Sequence, residues 1–127
     1  MELNEISQKI IGCAYRVSNT LGSGFLEKVY ENALGHELRK AGLSLKQQQP
    51  IHVTYDSVIV GNFFADLLVE DCIIVELKTV NALEPVHMAQ CLNYLKATGL
   101  PLALLINFYH PKVEIKRVAF ILPVAKA

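Results

Sequence analysis

The sequence predicts one α/β domain over residues 1–127, with a mixed central sheet flanked by helices. Two observations lead to this prediction. Apolar residues first recur at helical spacing, and from about residue 49 they alternate as in strands. Three consecutive strands with short turns then indicate an antiparallel meander, and a helix before the last two strands indicates a crossover. The predicted order is α, α, β, β, β, α, β, β.

Two amphipathic helices are predicted at the start of the chain. The apolar stripe of the first consists of Leu3, Ile6, Ile10, Cys13, Val17 and Leu21. The segment "LGSG" then interrupts the pattern. The second helix is expected from about Phe25, and Gly42 suits the position just after its end.

The strands follow the change of period. "PIHVTY" alternates as a half-buried strand, "DSVIVG" is typical of a turn, and "NFFADLLV" is expected to be the second strand. Glu70 and Asp71 suit a tight turn into the third strand, "CIIVELKTV".

The last third of the chain contains the crossover helix and two more strands. Pro85 suits the first turn of a helix that ends at Gly99. "PLALLINF" has almost no polar residue, so both of its faces should be covered. "VEIKRVAF" predicts an amphipathic last strand. "PLALLINFYH" and this basic strand are expected to offer a sheet edge for a homodimer.

Composition limits the class of protein. An apolar fraction of 52% and a charged fraction of 19% allow a real core, while twelve basic and twelve acidic residues give no support for general nucleic-acid affinity. The three cysteines form no CxxC pair and suit buried positions in a reducing compartment. No signal peptide is visible and the apolar runs are short, so a cytoplasmic protein without a membrane partner is expected.

Two charged residues interrupt the apolar third strand. Glu76 and Lys78 lie two residues apart, so they share a face, and each is costly to bury without a partner. Asp66 is equally embedded in the preceding strand and should lie close to Val75 and Glu76 across the turn. Two adjacent carboxylates repel, and Mg²⁺ or Mn²⁺ would remove that conflict. The alternative is a simple ion pair at a sheet edge.

Three further residues are candidates with ordinary alternatives. Glu27 begins the second helix, where the helix dipole alone favours an acid. Gln90 and Tyr94 lie four residues apart and share a helix face, which also suits plain packing. The four histidines show no ligand spacing, so a zinc site is not favoured.

These residues together resemble a known pattern. Asp66 followed by "ELK" is similar to the D…(D/E)xK signature of the PD-(D/E)XK nuclease superfamily, and Gln90 with Tyr94 is similar to its QxxxY element. "GFLEKVY", from Gly24 to Tyr30, resembles the motif of the GxxExxY protein family. The resemblance implies a restriction endonuclease-like αβββαβ core. Ala65 stands where the superfamily name has Pro.

The resemblance also implies a role for each residue. Asp66 and Glu76 would ligate Mg²⁺, or Mn²⁺, with help from Glu27. Lys78 would position the attacking water and stabilise the transition state. Gln90 would support the site or contact the substrate backbone, with Tyr94 packing behind it. Substrate contacts are expected from Tyr94 and Tyr30.

The function predicted in this way is metal-dependent hydrolysis of phosphodiester bonds in nucleic acid, with DNA favoured over RNA. The alternative is a nuclease-fold module, weakly active or inactive, that binds nucleic acid or a protein partner. A third interpretation is a structural ion-pair cluster. Fold class alone does not separate them.

Overall fold

The computed structural model describes residues 1–120; the predicted domain also includes residues 121–127, which lie outside the described part. Its elements are α1 (Leu3–Leu21), α2 (Glu27–Lys40), β1 (Leu45–Tyr55), β2 (Val58–Val69), β3 (Ile73–Lys78), α3 (Pro85–Thr98), β4 (Leu102–Asn107) and β5 (Glu114–Ala119). The order and the α/β class are those predicted. No helix in this part of the chain combines the length and apolar character needed to cross a bilayer.

The first hairpin is longer than predicted. β1 begins at Leu45 instead of Pro50, and β2 begins at Val58 instead of Asn62. Pro50 lies inside β1, and β1 is an edge strand, which is where sheets tolerate proline. The turn reduces to Asp56 and Ser57, with φ of 54° and 64°.

The five strands form one sheet in the order β1-β2-β3-β4-β5. β3 and β4 are parallel, and the other neighbours are antiparallel. α3 is therefore the crossover between two parallel strands, as predicted. Leu67 pairs with Val75, which places Asp66 opposite Glu76.

The proposed dimer edge requires a correction. β4 lies between β3 and β5, and all six of its residues are buried. Its apolar character comes from coverage on both faces, so it offers no edge to a second copy. Of the two strands suggested for that role, β5 alone lies at the edge of the sheet.

Helices cover the two faces of the sheet unequally. α1 and α2 pack on one face, where Leu67, Val75 and Leu104 belong to the larger apolar cluster. α3 packs on the other face, over a smaller cluster that includes Leu68 and Leu105. Side chains alternate along β3, so Glu76 and Lys78 lie on the α3 side.

Candidate active site

Two carboxylates cross between β2 and β3 where the backbone ladder ends. The last described backbone pair of this ladder is Leu67 with Val75. Beyond it, the Asp66 N–H donates to Glu76 Oε1 at 3.0 Å, and the Leu77 N–H donates to Asp66 Oδ2 at 2.8 Å. Each carboxylate takes the place of a backbone carbonyl on the opposite strand. Both side chains are thereby held in place by the backbone of the opposite strand.

Burial makes it costly for this acid pair to be fully ionised. Glu76 is only 4% exposed, and its burial, followed by the negative charge of Asp66, raises its pKa to about 8. Burial also raises the pKa of Asp66, although the Leu77 N–H and the Gln48 amide oppose that rise. A cation placed against the pair would remove the repulsion.

Lys78 lies beside the acids but is held by α3. Its Nζ donates to Gln90 Oε1 at 3.4 Å, and Gln90 Nε2 donates to the Tyr94 hydroxyl at 3.0 Å. Within residues 1–120, no salt bridge joins Lys78 to Asp66 or Glu76. The interpretation as an ion pair at a sheet edge is therefore wrong, because the pair is not formed and β3 is an inner strand.

Glu27 approaches the same charges from the start of α2. Burial raises its pKa, the charge of Asp66 raises it further, and Lys78 opposes both. In the described part of the chain, however, no group of three or more His, Cys, Asp or Glu side chains is close enough to hold a metal ion. The predicted trio of Asp66, Glu76 and Glu27 is thus not assembled as a closed ligand set.

The donors that are present still suit a hard divalent cation. Mg²⁺ prefers oxygen ligands and commonly uses only one or two carboxylates, with water and substrate phosphate completing its shell. Asp66 and Glu76 supply two carboxylates with oxygen lone pairs left over. A soft metal is not favoured, because neither histidine nor thiolate belongs to this pair.

Tyr30 does not lie where a substrate contact requires it. It is fully buried, its ring stacks on Phe108 at 4.7 Å, and its hydroxyl donates to the Gly22 carbonyl at 2.6 Å. The same hydroxyl accepts a bond from the Phe25 N–H at 3.3 Å. Its role is to hold the loop before α2, in which Gly24 adopts a φ of 109° that only glycine takes readily.

The spacing of the glycine, the acid and the tyrosine has a structural reason. Glu27 is the first residue of α2, and Tyr30 follows one turn later. By binding the loop backbone, Tyr30 determines where α2 begins and hence where Glu27 stands. The positions of Gly24 and Tyr30 thus support that of Glu27.

The start of α3 is similarly anchored. The Glu84 N–H donates to His87 Nδ1 at 2.9 Å, and the Glu84 side chain caps the His87 N–H in return. Gln90 and Tyr94 follow on the same helix. The ring of His87 is thereby engaged in the cap.

A groove of about 640 Å³ opens beside Gln90, between α3 and the β1–β2 hairpin. It is lined by Val53, Thr54, Phe63, Val86, Ala89, Gln90, Asn93, Tyr94, Lys96 and Ala97. Tyr94 is 5% exposed and packs on Phe63 at 5.8 Å, so it contributes a wall of the groove. The predicted pair Gln90 and Tyr94 therefore connects the groove to Lys78.

Three residues around the site were not predicted from the sequence. Asn107 is fully buried and binds both the N–H and the carbonyl of Val80, which anchors the segment after Lys78. The sequence offered one sign of this role, because Asn107 is a single amide at the end of the otherwise apolar strand "LALLIN". Glu31 and Gln48, which bond to each other at 2.8 Å, left no comparable pattern.

The comparisons with known proteins concern the fold and the family of the chain. One solved structure, an alkaline exonuclease from Laribacter hongkongensis, matches with a TM-score of 0.50 and 14% identity, covering 89% of this chain and 81% of that chain. At such identity the likeness concerns the fold, which is restriction endonuclease-like. No curated protein gives a significant match. Residues 4–118 match the profile of the PD-(D/E)XK nuclease superfamily, and this chain therefore belongs to that superfamily.

Proposed function

We propose that the protein is a nuclease that hydrolyses phosphodiester bonds of nucleic acid, with DNA as substrate and Mg²⁺ or Mn²⁺ as cofactor. The crossed carboxylates of Asp66 and Glu76 are the observation that carries this proposal. A buried Glu76 next to a half-buried Asp66, with no salt-bridge partner among residues 1–120, is a costly arrangement unless a ligand compensates for it. Superfamily membership supports the same reaction class.

Each side chain has a role in the proposed reaction. Asp66 and Glu76 would hold the metal ion, and Glu27 would bind or orient its water ligands from α2. A bound divalent cation supplies positive charge to the phosphate and lowers the pKa of a coordinated water. Lys78, which Gln90 orients, would position the attacking water and stabilise negative charge developing on the phosphate.

The groove beside Gln90 is the proposed path of the nucleic acid. Phe63 is 44% exposed there, and an exposed aromatic ring can stack on a base. Lys96 supplies a positive charge near the rim. Tyr94 is proposed to contact the substrate as a wall of this groove and to keep Gln90 in place.

Other features of the chain support proposals for its subfamily, its location and its oligomeric state. The loop held by Tyr30 supports membership of the GxxExxY family. Free thiols at Cys13, Cys72 and Cys91 suit a cytoplasmic location. A homodimer would pair through β5, which lies at one end of the sheet.

Cleavage of a labelled panel tests the reaction class. The panel contains single- and double-stranded DNA and RNA, with Mg²⁺, Mn²⁺ or EDTA. Wild type is expected to cleave at least one substrate only with metal. Lys78→Met should lower that rate by at least about 100-fold, because the charge near the phosphate is lost.

Lys46→Met is the matched control. Lys46 is also a strand lysine, but it is exposed and pairs with Asp71 at 3.2 Å, away from the acids. Its replacement should leave the rate unchanged. If wild type cleaves no substrate and calorimetry detects no metal binding, the proposed nuclease activity is wrong.

The second candidate is a nuclease-fold module that binds nucleic acid or a protein without useful turnover. It is favoured by one observation, that residues 1–120 hold no ready group of three metal-ligating side chains. Nucleic-acid binding without cleavage in either metal would select this alternative over the enzyme.

A further inference from the structure

Gln48 adopts a backbone conformation that its position does not explain. It lies within β1 with a φ of 52°. Among residues 1–120, the other non-glycine residues with positive φ lie in the two hairpin turns: Asp56, Ser57, Glu70 and Asp71. Glutamine is not one of the residue types enriched in this region, so the conformation is strained and something must stabilise it.

The strained conformation brings two neighbouring side chains to one partner. Consecutive residues of a strand normally point to opposite faces. Yet Gln47 Nε2 and Gln48 Nε2 each donate to Glu31, to Oε2 and Oε1 respectively, and both distances are 2.8 Å. The left-handed φ at Gln48 explains how both amides reach the same carboxylate.

Glu31 is an ordered anchor for this amide. It lies on α2, is 3% exposed, and also accepts a bond from Lys28 at 3.0 Å. Because an ionised carboxylate only accepts hydrogen bonds, the amide nitrogen of Gln48 must face Glu31. The second hydrogen of that nitrogen is then available to Asp66 Oδ1, at 3.3 Å.

We propose that Gln48 is a positioning residue of the active site, anchored by Glu31 and holding the Asp66 carboxylate in its working orientation. Asp66 Oδ2 is held by the Leu77 N–H and Oδ1 by Gln48, so donors from β3 and β1 define the plane of the carboxylate. Each oxygen keeps a lone pair for a cation. The inference rests on the proposed function, in which Asp66 holds the metal ion.

A matched pair of variants separates positioning from general support. Gln48→Gly and Gln47→Gly both replace a glutamine by glycine, so the two variants have the same amino-acid composition. Each removes one 2.8 Å bond to Glu31. Gln48→Gly also removes the contact with Asp66, whereas Gln47→Gly also removes a 2.9 Å bond to Asn32. Glycine relieves the strain at Gln48 but weakens the regular strand at Gln47, so Gln47→Gly should be the less stable variant.

Although Gln47→Gly should lose more stability, Gln48→Gly should lose more activity. Gln48→Gly should lower kcat and Mn²⁺ affinity about 10- to 100-fold, with KM for nucleic acid unchanged. Gln47→Gly should leave all three within about twofold of wild type, as expected for a change outside the site. Equal losses in both variants, or none in Gln48→Gly, would overturn the proposal.

Hydrogen exchange at Leu77 gives a readout that needs neither metal nor cleavage. Its N–H is protected by Asp66 Oδ2, so it should exchange faster in Gln48→Gly and not in Gln47→Gly, with the Val75 amide as reference. Unchanged protection in Gln48→Gly would show that Gln48 does not orient Asp66. An inactive wild type with the expected exchange would instead contradict the nuclease function alone.

Discussion

The two faces of β3 show how the sheet divides its tasks. Ile73, Val75 and Leu77 belong to the large apolar cluster beneath α1 and α2. Glu76 and Lys78 lie on the opposite face, next to α3 and the groove. Both sets occupy the same six-residue strand.

This difference indicates where stability and chemistry reside. The face under α1 and α2 buries apolar area, which is the main favourable contribution to folding. The α3 face holds the buried carboxyl group of Glu76, which opposes folding. The larger apolar cluster offsets the free-energy cost of the buried acid on the α3 face. Substitutions on the two faces should therefore differ in their effect on stability.

The largest expected loss of stability comes from the α1–α2 face. Leu104 and Leu105 are adjacent on β4, fully buried, and belong to different clusters. Leu104→Ala should lower the free energy of unfolding by about 4 kcal/mol, and Leu105→Ala by about 2 to 3 kcal/mol. Leu105 belongs to the smaller of the two clusters, so its removal costs fewer apolar contacts. Urea unfolding measures both, and equal losses would contradict the proposed division.

The acid pair should make stability depend on pH. The pKa of Glu76 rises from its ordinary value of 4.5 to about 8 on folding, so the folded state binds the proton more tightly. This contribution is fully present below pH 4.5 and is lost as the pH rises towards about 8. Thermal unfolding across that range should show stability falling.

Glu76→Gln provides the control for this pH effect. A neutral amide of similar size cannot titrate, so its stability should depend less on pH over the same window. Mg²⁺ added at pH 8 should stabilise wild type but not this variant, since only the native state offers the site. A Glu76→Gln profile that is identical to wild type would refute the assignment.

A smaller effect is expected at the loop before α2. Tyr30→Phe keeps the stack on Phe108 but loses the hydroxyl that binds Gly22 and Phe25. Stability should fall by about 1 to 2 kcal/mol, and cleavage should fall as well because Glu27 is less well placed. Chemical denaturation and the cleavage assay measure the two effects. Tyr15→Phe on the partly exposed face of α1 should change neither.

The smallest effect is expected at the hairpin tip. Ile59 is 55% exposed, so Ile59→Thr should change stability by less than about 0.5 kcal/mol. Unfolding measured at two protein concentrations gives the test. A larger loss that depends on concentration would show that the hairpin is buried against a second copy.

Features that depend on residues near in the sequence were predicted correctly, and features that depend on pairing between distant strands were not. Turn residues such as Glu70 and Asp71, and the helix end at Gly99, have local physical causes and were predicted correctly. The start of β1 was missed, because strand extension beyond Pro50 depends on pairing with β2. The placement of β4 at a sheet edge failed for the same reason, since strand order is a long-range property.

The site shows the same limit. The proximity of Asp66 to Glu76 could be estimated from the position of the turn, because an antiparallel hairpin has a simple register. The interior position of Tyr30 could not, since the stack on Phe108 joins distant parts of the chain. Gln48 and Glu31 also remained unnoticed, because polar residues in a strand and a helix usually face solvent.

The sequence by itself determined the order of elements, the pattern of buried faces and the acids and lysine of the candidate site. These follow from periodicity, turn chemistry and the cost of burying charge, all of which act locally. Only the tertiary structure decided that the carboxylates bind the backbone of each other's strand, and that α2 reaches Asp66 through Gln48. Such contacts require β1, β2, β3 and α2 to be packed together, and no local pattern encodes their relative positions.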